Sequence, residues 1–283
     1  MTVKSFRKTF LHSLKKEYPT QELQAFLNII FEQLKGWTKI QIILNEDRQL
    51  SESELSDLQE ITERIEKHEP LQYILGFTEF HGLKIGLNPS VLIPRPETEE
   101  LILYIENNFR KDQDLSIIDL GTGSGCIALS LARYFSRAKI YACDFSEKAL
   151  QTAQKTADAL QLKLNFFQDD ILNFQNSIPT ETYDLIVSNP PYVRESEKKM
   201  MEKNVLNYEP AEALFVSDET PLLFYTALAD IANRHLASGG TIIMEINEYL
   251  AKETADLFES KGFKNIEIIK DIFDKNRFVK AGK

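Results

Sequence analysis

Ile117-Ile118-Asp119-Leu120-Gly121-Thr122-Gly123-Ser124-Gly125-Cys126-Ile127-Ala128 is the stretch that decides how this chain folds. Ile117–Leu120 is a short apolar run of strand length, and Cys126–Tyr134 has the spacing of a helix. Between them lie the glycines. At such a junction glycine lets the backbone turn tightly and approach a ligand with no Cβ in the way. The helix that follows offers unpaired N–H groups to an anionic group. Taken alone, the loop leaves three readings open. Gly123, Gly125 and Ala128 satisfy the dinucleotide form G-x-G-x-x-A, a nucleoside-bearing sulfonium uses a similar loop, and a purely structural turn has the same composition.

Strands and helices alternate outward from this loop, from about Thr98 onward. Lys139–Cys143 reads as a strand ending in Asp144, and Ser146 caps a helix running through Leu160. Leu164–Phe167 is a strand ending near Asp169 and Asp170, and Tyr183–Ser188 one ending in Asn189. Pro221–Leu236 reads as a helix, Thr241–Ile246 as a strand after Gly239-Gly240, and Ile266–Phe273 and Arg277–Lys280 as two more strands. This alternation predicts an α/β fold with a mostly parallel sheet covered by helices on both faces.

Upstream the texture differs. Phe6, Phe10, Leu11 and Leu14, then Leu23, Phe26, Leu27, Ile30 and Leu34, recur at helical spacing. Ser51 and Ser53 precede acidic residues and open a helix through Leu55, Leu58, Ile61 and Ile65. Gly76, Gly82, Gly86, Pro89, Pro94 and Pro96 then crowd one short stretch, where Phe77–Phe80 and Leu83–Leu87 predict a β-hairpin turning at His81-Gly82. The expected organisation is a small helical bundle over 1–75, a β-hairpin linker over 76–97 and a larger α/β domain over 98–283. No internal repeat or low-complexity segment interrupts it.

Composition narrows the class. The 283 residues carry a formal net charge of -10, with 43% hydrophobic and 27% charged residues, as in an ordinary globular protein. Phosphate neutralisation supplies most of the affinity for nucleic acid, so this balance argues against a dedicated nucleic-acid binder, a local basic patch aside. Cys126 and Cys143 sit in apolar stretches and predict buried free thiols rather than a disulfide or zinc site. His12, His68, His81 and His235 share no spacing, so no metal is expected. Trp37 is expected to pack among the helices, and Lys4, Arg7, Lys8, Lys15 and Lys16 to form a solvated helix face or meet a partner. No signal peptide or membrane span is readable, which predicts a cytoplasmic protein; a monomer is expected.

Two further features carry chemistry. Asp144 ends the strand after the glycine loop, about twenty residues on, where an acid accepts both hydroxyls of a ribose. Asp170, at the end of the next strand, is placed to receive an adenine amino group or simply to face solvent. The sharpest signal is Asn189-Pro190-Pro191-Tyr192 at the end of an apolar strand. A planar amide or aromatic amine nitrogen is a poor nucleophile because its lone pair is delocalised. The Asn189 side-chain oxygen and the Pro190 carbonyl are two acceptors able to hold both protons of an NH2 group. The prolines stiffen the turn, and Tyr192 can pack flat on the planar group. Rate then comes from alignment with a methyl donor rather than from a strong base.

Together these motifs resemble the class I amino-methyltransferases, which use S-adenosyl-L-methionine and release S-adenosyl-L-homocysteine. Pro70-Leu-Gln-Tyr-Ile-Leu-Gly76, Leu92-Ile-Pro-Arg-Pro-Glu-Thr-Glu99, Asn207-Tyr-Glu209-Pro210 and the Gly239-Gly240 strand carrying Glu245 narrow the resemblance. The series is similar to the HemK/PrmC family, the protein-(glutamine-N5) methyltransferases of peptide chain release factors, over nearly the whole chain. The resemblance implies a Rossmann-like domain with a seven-stranded sheet, preceded by a substrate-recognising helical domain. It implies that Gly121, Thr122, Gly123, Ser124 and Gly125 wrap the methionine part of the cofactor and that Asp144 holds the ribose. Asp170 and Ile171 would border the adenine, where Ile171 offers apolar packing in a position that is aromatic in some members. Asn189, Pro190, Pro191 and Tyr192 would bind the glutamine of a Gly-Gly-Gln motif in class I release factors, with Asn189 also bordering the cofactor. Arg95 has two readings: it closes over the cofactor or orients the substrate loop, or it pairs with Glu97 or Glu99.

N6-adenine or N2-guanine methylation of nucleic acid competes, since those targets are also planar NH2 groups. The acidic charge and the want of a basic or Cys/His recognition module weigh against it, and an adenine would have to be flipped from its stack. A non-catalytic module that kept the cofactor fold conflicts with an intact Asn189, and a dehydrogenase leaves Asn-Pro-Pro-Tyr without a role.

Overall fold

The computed structural model describes residues 1–173 and 182–283, and the chain divides into two compact units, Met1–Leu75 and Gly76–Lys283.

In the first unit the apolar spacing becomes α1 (Val3–Leu14), α2 (Thr20–Lys35), α3 (Lys39–Leu44), α4 (Glu52–Glu66) and α5 (Leu71–Leu75). Local chemistry sets the ends. The Thr2 hydroxyl caps α1, accepting from Ser5 N at 3.1 Å. Thr38 and Ser51 open α3 and α4 with reciprocal capping boxes. Gly36 closes α2 with φ 66°, a left-handed conformation that side chains resist. Phe6, Phe10, Leu27, Ile30, Phe31 and Ile65 fill the core. Trp37 stacks on Phe31 with an interplanar angle of 3°, and the Arg48 guanidinium lies 5.1 Å from its ring centre.

The second unit opens with β1 (Phe77–Phe80) and β2 (Leu83–Gly86), paired antiparallel, then α6 (Pro96–Asn108), with Pro96 in its first turn. There follow β3 (Ser116–Leu120), α7 (Cys126–Tyr134), β4 (Lys139–Asp144), α8 (Glu147–Leu160), β5 (Asn165–Gln168) and β6 (Tyr183–Ser188). Next come β7 (Val193–Arg194), α9 (Lys203–Tyr208), β8 (Phe215–Val216), α10 (Leu223–His235), β9 (Leu236–Glu245), α11 (Ala251–Ser260), β10 (Lys264–Lys270) and β11 (Asn276–Gly282).

The main sheet has seven strands in the order β10-β11-β9-β6-β3-β4-β5. All neighbours from β9 to β5 pair in parallel, while β11 runs antiparallel between β9 and β10. The chain starts at β3, winds outward through β4 and β5, and then returns to the other side of β3 as β6. That reversal leaves a crevice at the carboxyl ends of β3 and β6, where open α/β sheets bind their ligands. Both faces are covered, so β3, β4 and β6 read as nearly unbroken apolar runs. Cys126 and Cys143 are buried free thiols.

Several boundaries differ from the sequence reading. The hairpin expected as a separate linker belongs to the second unit: Gly86 N donates to Thr156 Oγ1 on α8 at 3.1 Å, and a Cβ at Gly86 would lie 2.9 Å from that oxygen. The strand expected from Thr241 starts at Leu236. It carries Gly239-Gly240 through a register shift against β6, with Gly239 at φ 76°. β10 stops at Lys270, short of Phe273, because the Asp271 carboxylate turns the chain by accepting from Phe273 N and Lys275 N at 2.9 and 3.0 Å. α10 ends one residue early, at His235. The short pair β7 and β8, between Asn189 and Pro221, had no pattern long enough to read. No helix among the described residues is long and apolar enough to cross a membrane.

Candidate active site

The glycine loop after β3 is fastened from below. Asp119, fully buried at the end of β3, accepts through Oδ2 from Thr122 Oγ1 at 2.6 Å and from Ala128 N at 3.2 Å. Burial pushes its carboxyl up to about 7. Gly121 N and Thr122 N both donate to the Cys143 carbonyl on β4, at 2.9 and 2.8 Å. The glycines then divide the work. Gly125, at φ 81°, lies where a Cβ would come 2.9 Å from Ala153 Cβ, so it brings α7 against α8. Gly123, at φ 53°, would place a Cβ in open space.

Asp144 closes the loop from the side. Its Oδ2 accepts from Gly123 N at 2.8 Å and its Oδ1 from Ser146 N at 2.9 Å, so the carboxylate holds both the loop and the start of α8. It is 6% exposed, and burial raises its pKa against the pull of those N–H donors. Asp170 accepts from Leu172 N at 2.9 Å and Asn173 Nδ2 at 2.7 Å, shaping its own turn. The Ile171 side chain comes up against the loop, 3.6 Å from where a Cβ on Gly121 would be.

These groups meet at one cavity of ≈ 320 Å³. Gly121, Thr122, Gly123 and Ser124 of the glycine loop line it together with Asp144, and Asp170, Ile171, Asn189 and Pro191 line it as well. Of the residues singled out in the sequence, Gly125, Pro190 and Tyr192 are not on its lining. The first packs helices, Pro190 is buried, and the Tyr192 hydroxyl is turned inward to Glu245 Oε1 at 2.8 Å. Arg95 also borders the cavity. Its partner is neither Glu97 nor Glu99 but Glu209, at 2.6 Å; the other oxygen of Glu209 accepts from Ile93 N at 3.1 Å. Glu209 is buried, so this pair ties the segment before α6 to the segment that follows α9.

Asn189, at the end of β6, has a connection that sequence reasoning missed. Its Nδ2 donates to Thr98 Oγ1 at 3.2 Å, and Thr98 Oγ1 donates to Glu245 Oε2 at 2.7 Å. Glu245 closes the apolar run Ile242–Met244 at the end of β9, and a lone acid there was the available signal. Burial raises its pKa, opposed by these hydrogen bonds and by Arg277.

Two family models match in series, the PrmC N-terminal domain over residues 7–76 and the Methyltransferase small domain over residues 101–215. A release factor glutamine methyltransferase of Flavobacterium psychrophilum is 41% identical, over 99% of each chain. One of Bacteroides thetaiotaomicron is 40% identical, over 96% of each. A crystal structure of a methyltransferase from Pyrococcus furiosus aligns with TM-score 0.53 at 19% identity, covering 71% of this chain and 89% of that one, a likeness of fold. The glycine loop and Asn189 line one cavity, and identity of this order to the curated relatives over the full length leaves one assignment: the chain belongs to the release factor glutamine methyltransferase family.

Proposed function

We propose that this enzyme transfers a methyl group from S-adenosyl-L-methionine to the side-chain amide N5 of the glutamine in the Gly-Gly-Gln motif of class I peptide chain release factors. The observation that carries the reading is the Asn189 amide, whose Nδ2 is engaged by Thr98 so that its Oδ1 is left for the cavity.

The residues present fit the cofactor. The cavity has the volume of a small-molecule site, and Gly123 keeps it clear of any Cβ. Gly121 to Ser124 would hold the methionine part, Asp144 the ribose, and Ile171 with Asp170 the adenine. Bound there, the sulfonium supplies an electrophilic methyl group. The protein supplies the rest. Asn189 Oδ1 accepts a hydrogen bond from the substrate amide and aims its nitrogen, whereas Pro190, expected from the sequence to offer a second acceptor, is buried off the cavity lining and acts by stiffening the turn. The hydrogen bonds of Asp119 and Asp144 hold the loop in one geometry before anything binds, so little ordering remains at the moment of transfer. The helical unit, residues 1–75, engages the release factor away from its target loop.

Radiolabelled methyl transfer tests this, with a class I release factor and unmethylated DNA offered side by side. Label mapped by mass spectrometry to the Gly-Gly-Gln glutamine is the expected result; label on DNA alone overturns the substrate assignment. Deleting residues 1–75 should raise KM for the whole release factor far more than for an isolated Gly-Gly-Gln peptide.

A further inference from the structure

Behind Asn189 runs a line of polar groups that starts at the cavity, where Thr98 joins Asn189 on the lining, and ends at Glu245, which is off it. Thr98 comes from α6, Glu245 from the end of β9, and Asn189 and Tyr192 from the turn after β6. Thr98 and Glu245 are each 1% exposed. Three hydrogen bonds join them: Asn189 Nδ2 to Thr98 Oγ1, Thr98 Oγ1 to Glu245 Oε2, and Tyr192 Oη to Glu245 Oε1.

The chain has a direction. A carboxylate only accepts, and a threonine hydroxyl has one proton to give. When that proton goes to Glu245, the Thr98 oxygen faces Asn189 with lone pairs alone. Only the NH2 end of the Asn189 amide can meet it. The two ends of an amide are nearly alike in shape, so packing does not choose between them. The hydrogen bond does. A flipped Asn189 would set its oxygen against the Thr98 lone pairs and turn its NH2 toward the substrate NH2, donor against donor.

Resting on the reading of Asn189 as the substrate's acceptor, we propose that Thr98 and Glu245 are positioning residues that fix the direction of the Asn189 amide and so keep its carbonyl oxygen toward the substrate nitrogen. The same carboxylate anchors Tyr192, so one buried group sets both ends of the Asn-Pro-Pro-Tyr turn. Arg277 on β11 supplies the compensating charge nearby while itself paired with Asp271 at 3.0 Å.

The test uses the full-length enzyme, with methyl transfer to the release factor and calorimetric binding of S-adenosyl-L-methionine as separate readouts. Thr98→Val keeps the shape of the side chain and removes the hydroxyl. It should lower kcat about 10- to 100-fold, with KM for the release factor and cofactor Kd within about threefold of wild type. Thr98→Ser restores the hydroxyl and should restore kcat. Glu245→Ala removes the acceptor that takes the Thr98 proton, leaves the Thr98 hydroxyl free to turn toward Asn189 and should lower kcat like Thr98→Val, which keeps the proposal testable should one variant fail to fold. Wild-type kcat in Thr98→Val, or a Thr98→Ser variant as impaired as Thr98→Val, overturns the positioning role. Absence of transfer by the wild type overturns the proposed function itself, and the two failures are thereby told apart.

Discussion

The two walls of the cavity are built from different kinds of interaction. The glycine wall is held by backbone N–H groups and a hydroxyl bonded to two carboxylates, Asp119 and Asp144, over short stretches of chain. The Asn189 wall is held by side chains brought from far apart: Thr98 lies 91 residues from Asn189 and 147 from Glu245. The first wall is assembled by local turns and should tolerate distant changes. The second exists only when α6, β6 and β9 are packed together, so it is sensitive to Glu245, which lies off the cavity lining.

If the walls are separate in function, their variants should separate too. Asn189→Ala should cost about 10³-fold in kcat through lost alignment while leaving cofactor affinity near wild type by calorimetry. A parallel loss of cofactor binding would break the division. Asp144→Ala should do the reverse. It removes an acceptor for Gly123 N and the acid proposed to hold the ribose, and should raise the cofactor Kd about 30- to 100-fold with a smaller change in kcat at saturation.

A smaller effect sharpens the account of the glycine wall. Asp119 is pushed up to about 7 in the folded chain, from about 3.8 for an ordinary aspartate. Below pH 4 both states hold the proton. As pH rises the unfolded chain releases it first, so the folded state binds more protons and stability falls until the buried carboxyl ionises near pH 7. Cofactor-free wild type should lose ~2 kcal/mol more than Asp119→Asn between pH 5 and pH 8 in denaturant titrations. Parallel curves for the two proteins would show that Asp119 is ionised throughout. The smallest effect expected is that of Arg95→Lys, which keeps a charge beside Glu209 but loses the guanidinium geometry, and should change kcat/KM by about threefold.

The same contrast explains what the sequence showed. The glycine loop, Asp144 and Asn189 were legible because each follows an apolar run at a fixed spacing, and the turn chemistry lies in consecutive residues. Thr98 and Glu209 were quoted as parts of motifs, but nothing along the chain pairs them with Glu245 and Arg95; those pairings appear only when the sheet closes. The start of β9 was misplaced for a related reason. Gly239-Gly240 reads locally as a break, yet β6 holds the strand on both sides of it. The role of Asp119 was hidden by burial, since an acid before a glycine loop looks like a ligand contact when it is in fact the clasp beneath.

Cys143 bears on how the molecule is handled as well as on how it folds. Its carbonyl anchors Gly121 and Thr122, and its side chain is fully buried with the thiol pushed far up by burial. Thiolates, not thiols, are alkylated and oxidised. The sulfur is therefore silent while the sheet is closed and reactive once it opens. Its rate of alkylation is a clock for excursions at the root of the glycine wall, and the slowing of that clock by added S-adenosyl-L-methionine would read out how firmly the ligand keeps the strand ends together.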